Sequence, residues 1–410
     1  AGDASITKCS FGGGLYIKDS TGLTVTGTTI EGNTASLGDE GKGGGVYTEN
    51  TTMNFSNNQV LNNIAGSNWG LGGGLWLESI HGQVNGNTIQ GNIGGQSGSG
   101  NGGGAFIVGS DATVHSNTIK GNIASQTGKG CGGGLYIMAG NLTLSANIIM
   151  GNKASGGTAT IEMGGGIFLG TPFSGITTNL INNIVAQNEA TDGAGIYIIN
   201  WGSGYAANFW ANLYHNTLAD NNGDGLECVG SPAHKITLAM TNNIVSGHNM
   251  GISITEGVDV TIDHTLFFNN TDDGVVGTNP VYGDPAFVFE ENYHIIWTSA
   301  ALDNGVDAGI TTDIDGETRP QGAGYDIGAD EYRVLVLITP GSLDFGDVIV
   351  DDDSAPQAVT ITNNSDVNLS LIISIIGADA SEFSQTSDCS GTLSPSENCT
   401  VNVVFSPNSG

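Results

Sequence analysis

A glycine-rich corner returns along most of this chain every 29 to 32 residues, and that period constrains the fold more than any other feature. Triplets stand at 12–14, 43–45, 72–74, 102–104, 132–134 and 164–166. Looser copies follow at Gly193-Ala194-Gly195, Gly223-Asp224-Gly225 and Met250-Gly251. A second motif, N-x-I-x-x-N, keeps the same beat. Its first column reads Thr28, Asn58, Asn87, Asn117, Asn147, Asn183, Asn216, Asn243 and His264. Its last column reads Asn33, Asn63, Asn92, Asn122, Asn152, Asn188, Asn221, His248 and Asn269. Short alternating stretches such as Leu23-Thr-Val25 and Leu142-Thr-Leu144 lie between the two motifs. Each repeat carries three strand signals and no 3.6-residue periodicity. The expected fold is all-β: a right-handed parallel β-helix of about nine coils, three strands each, over residues 1–270. Stacked Asn amides are expected to bond along its axis. No helix follows the triplets, so they do not form a phosphate-binding helix N-terminus.

Composition narrows the partners. The chain has 9 Lys plus Arg against 40 Asp plus Glu, a formal net charge of −31. Such a balance disfavours nucleic acid and anionic membrane surfaces and attracts divalent cations. No apolar run approaches the ~18 residues a spanning helix needs, so no transmembrane segment is expected in this chain. The seven histidines show no zinc-type spacing.

Three features are candidates for function. The strand after each corner has an aromatic middle residue in seven successive coils: Tyr16, Tyr47, Trp76, Phe106, Tyr136, Phe168 and Tyr197. With aliphatic neighbours filling the core, alternation points this ladder outward as an interaction surface. It fits a protein interface or a sugar-stacking platform; alternatively, inter-coil loops cover it and it stabilises the fold. Those loops are long early ("TASLGDEGK", 34–42; "KASGGTATIEM", 153–163) and short late, which predicts a ledge near the seventh and eighth coils. Asp192, Asp220, Asp224 and Glu227 gather around that ledge. Paired carboxyls on adjacent coils are what inverting glycoside hydrolysis needs, although corner acids are also ordinary solvated residues. The third feature is Asp313-Ile-Asp315-Gly, whose oxygens and glycine turn suit Ca²⁺, or a salt bridge to Arg319.

The GGG-apolar-aromatic and N-x-I-x-x-N pattern resembles the parallel β-helix repeats of bacterial surface proteins, including the GGA[ILV] repeats of polymorphic outer-membrane proteins. "NPVYGDPAFV" and the words D-I-D-G-x-x-R-P and D-I-G-A-x-E-Y within 303–332 resemble the closing segment of choice-of-anchor Q domains. This assigns 271–333 to a closing segment, and it implies a secreted or surface protein and no enzyme activity. Residues 334–410 alternate as short strands and read as an Ig-like sandwich. Their layout resembles choice-of-anchor D or ASH-type modules, and Cys389 and Cys399 match that module's cysteine pair, which implies a disulfide.

Both ends read as cut. Residues 4–9 align with 28–33, which places Cys9 in the Asn column, and 334–410 read as an incomplete Ig-like module. Either the chain is a fragment, or neighbouring protomers cover the ends in a head-to-tail fibre. The expected function is a non-enzymatic extracellular scaffold, adhesin or fibre subunit. It would self-associate or contact surface glycans or other surface proteins, without a cofactor unless Ca²⁺ binds. The alternative is a polysaccharide-binding or polysaccharide-cleaving β-helix protein, a glycoside hydrolase if it is an enzyme.

Overall fold

The structure is a computed structural model describing residues 9–138, 140–157, 161–171, 175–201, 208–288, 292–365, 368–389 and 391–408. It is all-β apart from one 3-10 turn at Ala380–Glu382 among the described residues. It divides into two compact units, the first ending at Tyr332 and the second beginning at Arg333.

The first unit is a parallel β-solenoid. Each strand pairs with its equivalent one period away: Leu75 opposite Val46, Ile89 opposite Val60, Ile119 opposite Ile89. One face is a ten-stranded sheet running from Thr29–Glu31 to Val281–Tyr282, so solenoid pairing continues past residue 270. Eight turns separate the first glycine corner, at Gly12, from the ninth, at Met250. Alternate strand residues fill the bore, with Phe55, Leu75, Ile107, Leu135 and Phe209 almost wholly buried.

The three glycines of a corner answer to two constraints. The first takes a left-handed conformation, with φ +65° at Gly43 and +68° at Gly72. The second sits against the next coil: a Cβ on Gly44 would lie 2.3 Å from the Gly73 carbonyl oxygen. Gly44 N–H donates to Gly72 O at 3.0 Å and Gly45 N–H to Gly74 O at 3.0 Å. The corner donors are thereby engaged between coils.

The Asn columns are buried ladders. Asn92 Nδ2 donates to Asn122 Oδ1 and to Val60 O, each at 2.9 Å. Its Oδ1 accepts from Asn63 N at 2.9 Å and Asn63 Nδ2 at 3.0 Å, so all four hydrogen-bonding positions of the amide are filled. The last coil departs from the expected register by one residue. Thr265 and Asn270, not His264 and Asn269, continue the columns, since Leu266 pairs with Ile244 and His248 N donates to Asn270 Oδ1 at 3.0 Å. His264 and Asn269 are corner residues at φ +43° and +53°. In a doubled Asn, as at Asn62-Asn63, the second member enters the ladder. Cys9 is also misplaced by the sequence alignment. It directly precedes Ser10–Phe11, which pairs with Gly41 and Lys42, so it belongs to the strand before the corner; residues 4–8 lie outside the described residues.

His248 does fill an Asn position. Its Nε2 accepts from Asn221 Nδ2 at 3.1 Å and its Nδ1 faces Asn270 Oδ1 at 3.1 Å, which requires the neutral ring. Burial pushes its pKa down to about 4. The unfolded chain therefore takes up this proton first, and the stability His248 contributes is present above about pH 6.5 and lost as pH falls towards 4. We expect urea titrations to show the parent losing up to about 3 kcal/mol across that window relative to His248→Asn; parallel pH profiles would contradict this.

The closing segment folds back along the outside of the ten-stranded sheet. Outward positions there are mostly polar in early coils (Glu31, Gln59, Thr88, Lys120, with Leu61 apolar) and mostly apolar later (Met150, Ile184, Ala186, Ile244, Leu266, with Thr217 and Ser246 polar). Tyr293, Ile295, Ala301, Ile327 and Ala329 cover the apolar stretch. Ala329 N–H donates to Thr217 Oγ1 at 3.0 Å and Gly328 N–H to Asn242 O at 2.8 Å.

The second unit holds small antiparallel sheets. Val336–Thr339, Gln357–Asn363, Asn398–Phe405 and Phe383–Ser387 form one, and Leu369–Ser370 with Thr392–Leu393 the other. Ile361, Leu393, Cys399 and Val401 make its buried core, and Cys389 is disulfide-bonded to Cys399.

Candidate functional site

The aromatic ladder is built in register, Tyr47 opposite Trp76, Trp76 opposite Phe106 and Tyr136 opposite Phe168. Consecutive rings lie 4.4 to 6.2 Å apart and within 19° of parallel. The ladder leaves the bore on the outer side of its strands, yet it is not an exposed surface. Tyr47, Trp76, Phe106, Tyr136, Phe168 and Tyr197 are all buried, and only Tyr16, at 52%, is exposed. The reason is the inter-coil loops, whose final residues form a strand column over the rings: Phe11, Lys42, Leu71, Asn101, Cys131 and Met163. Val108, Met138, Ile199 and Val229 close the other flank. Lys42 Nζ lies 4.7 Å from the Trp76 ring centre, and the polar ring atoms are met by Glu49 (Tyr47 Oη, 2.9 Å) and Glu78 (Trp76 Nε1, 3.0 Å).

Three of the four ledge acids lie where this arrangement ends. Glu227 is the next rung after Tyr197, and Asp192 continues the covering column after Met163. Asp224 stands in the corner between them in sequence. Burial, with the charges of Asp192 and Asp224, pushes Glu227 up to about 7, and burial with Asp192 raises Asp224. The backbone at Gly193 opposes the rise at Glu227, and the backbone at Met250 opposes that at Asp224. No three of these acids bring oxygens within 4.8 Å of one another. Asp220 is not among them: its Oδ2 accepts from the Tyr293 hydroxyl at 3.0 Å and anchors the closing segment.

The closing-segment words are organised around two buried residues. Arg319 Nη1 meets Glu331 Oε2 at 2.6 Å, and Nη2 donates to Gly328 O and Ala329 O at 2.8 Å each. Both side chains of this ion pair are fully buried. The salt bridge expected from Asp313-Ile-Asp315 to Arg319 is thus made by Glu331. Asp313 Oδ1 instead accepts from Asp315 N at 3.0 Å and Glu317 N at 2.8 Å, and Oδ2 from Glu331 N at 3.2 Å. Asp315 points elsewhere: its Oδ2 lies 2.7 Å from His294 Nε2, with Asp330 Oδ1 at 4.0 Å from the same nitrogen. Of the expected metal pair, Asp315 enters a potential ligand group, with His294 and Asp330, and Asp313 does not. The strand of loop at 309–316 arches over His115, Ser116, Ala146 and Asn182 and encloses an open cleft of about 410 Å³.

His294 and Asp330 were not legible as partners of Asp315, because no spacing rule joins three separate loops. The one signal is that Asp330 adjoins Glu331 inside the D-I-G-A-x-E-Y word. Comparison with known protein families, with curated proteins and with solved structures finds no match to this chain.

Proposed function

We propose that this chain is a non-enzymatic extracellular structural protein, a cell-surface scaffold or a fibre subunit that self-associates or meets surface glycans and other surface proteins. The observation that carries this reading is the covered ladder. Glycine corners, Asn columns and aromatic rungs all bond or stack coil to coil, which favours a rigid spacer over a ligand-binding groove. The acidic charge and the resemblance of the closing words to choice-of-anchor Q domains support a surface location. In this proposal the solenoid winds right-handed through about nine coils. The second unit is then an Ig-like module.

A polysaccharide-cleaving function has one observation in its favour: Glu227, at about 7, is poised as a general acid beside Asp192 and Asp224. Incubation with acidic and neutral polysaccharides separates the two readings. We expect no chain shortening by the parent protein. Cleavage that disappears in Glu227→Gln and Asp192→Asn would replace the scaffold reading with the hydrolase.

A further inference from the structure

The hydrogen bonds of His294 constrain what can sit beside it. Its Nδ1 lies 3.0 Å from the Asn292 carbonyl oxygen, a contact that only an N–H makes favourably. With the proton on Nδ1, the neutral ring turns a lone pair on Nε2 towards Asp315 Oδ2, 2.7 Å away, and towards Asp330 Oδ1, 4.0 Å away. Lone pair and carboxylates repel unless a cation stands between them. A proton on Nε2 leaves one imidazolium against two carboxylates. A divalent ion neutralises the set completely.

The surroundings fit an ion. Asp330 is buried, with Oδ2 held by the Ile295 N–H at 2.8 Å, which leaves Oδ1 for a ligand bond. Asp313 fixes the loop that carries Asp315 through two backbone N–H groups. These are the outer contacts that orient metal ligands, including the backbone carbonyl on the second imidazole nitrogen. The Asp315 side chain is 57% exposed, so an ion has an entry path and room for water ligands. Tetrahedral coordination needs the N and O ligands spread to ~3.4 Å, which a small rotation of that exposed side chain supplies.

We propose that His294, Asp315 and Asp330 form a binding site for a divalent transition-metal ion of the zinc class. One imidazole and two carboxylates suit such an ion, whereas Ca²⁺ seeks six to eight oxygens. The bound ion ties together three loops of the closing segment that cover the ten-stranded sheet. It therefore binds the folded state preferentially and raises its stability.

The test is calorimetric titration of the full chain, stripped with chelator, with ZnCl₂ in a background of millimolar Ca²⁺. We expect about one tight zinc site per chain, and binding weakened at least about tenfold in both His294→Ala and Asp315→Asn. Asp315→Asn is largely exposed, and circular dichroism verifies that each variant is folded. A His115→Ala control should bind as the parent does. Absence of a tight zinc site in the parent, zinc affinity unchanged in the two folded ligand variants, or full competition by Ca²⁺ would overturn the assignment.

Discussion

Arg319→Met should release the closing segment from the solenoid, at a cost of about 3–5 kcal/mol. The mutation leaves Glu331 charged and fully buried without its partner, and it orphans the carbonyls of Gly328 and Ala329. These carbonyls lie beside the backbone groups that bond Thr217 and Asn242, so the loss is transmitted to the contact with the ten-stranded sheet. Hydrogen exchange reports it directly: amides over 292–332 should lose protection by a factor on the order of 10² to 10³ while the early coils hardly change. Adding Glu331→Leu should recover part of the loss by removing the stranded charge. Recovery is partial because Glu331 also accepts from Gln321 N at 3.0 Å and Asp326 N at 3.1 Å. Protection over 292–332 unchanged from the parent in Arg319→Met would mean that the pair does not hold the segment.

The second large effect concerns the ladder. Phe106 is stacked between Trp76 and Tyr136, with ring centres at 4.4 and 4.6 Å. It is 4% exposed, beneath flanking columns that include Val108 and Cys131. Phe106→Ser removes the ring, opens a cavity and places a hydroxyl in it. Truncating a buried phenylalanine costs about 3–5 kcal/mol, and the stacking of aromatic neighbours adds to that. An exposed ladder ring would cost under about 0.5 kcal/mol.

The solenoid was readable because its signal repeats. A single GGG says little, but nine corners at one period leave few folds that place equivalent residues one above another. The register failed at the two ends of the array: at Cys9, and in the last coil at His264 and Asn269, where the doubled Asn269-Asn270 offers two candidates for one position. What lies over a strand is a separate question from which way its residues point. Alternation correctly sent Tyr136 out of the bore, but the cover comes from residues such as Cys131 and Met138, on the same triplet-bearing stretch. The signal was present: the residue before the corner is apolar at Phe11, Leu71, Cys131 and Met163. The docking of the closing segment was written similarly, in the change from Glu31 and Lys120 to Met150 and Ala186 at outward sheet positions. The partner of Arg319 was not written anywhere, since Asp313, Asp315, Asp326, Asp330 and Glu331 all lie close in sequence and only packing selects one.

The ledge acids divide for the same reason. Asp192 and Glu227 occupy columns that begin as cover and ladder, so their meeting follows from register once the columns are known. Asp220 occupies a corner position at φ +50°, which turns it to the sheet face where Tyr293 docks.

The covered ladder holds the coils together along the outer side of its strands, outside the bore. Urea denaturation of Phe106→Ser beside the parent, with the sedimentation of both measured under native conditions, tests it most directly. We expect a loss of about 3–5 kcal/mol in unfolding free energy, with particle size unchanged for the folded protein. A variant as stable as the parent whose particles shrink would contradict it and return the ladder to the role of an interface.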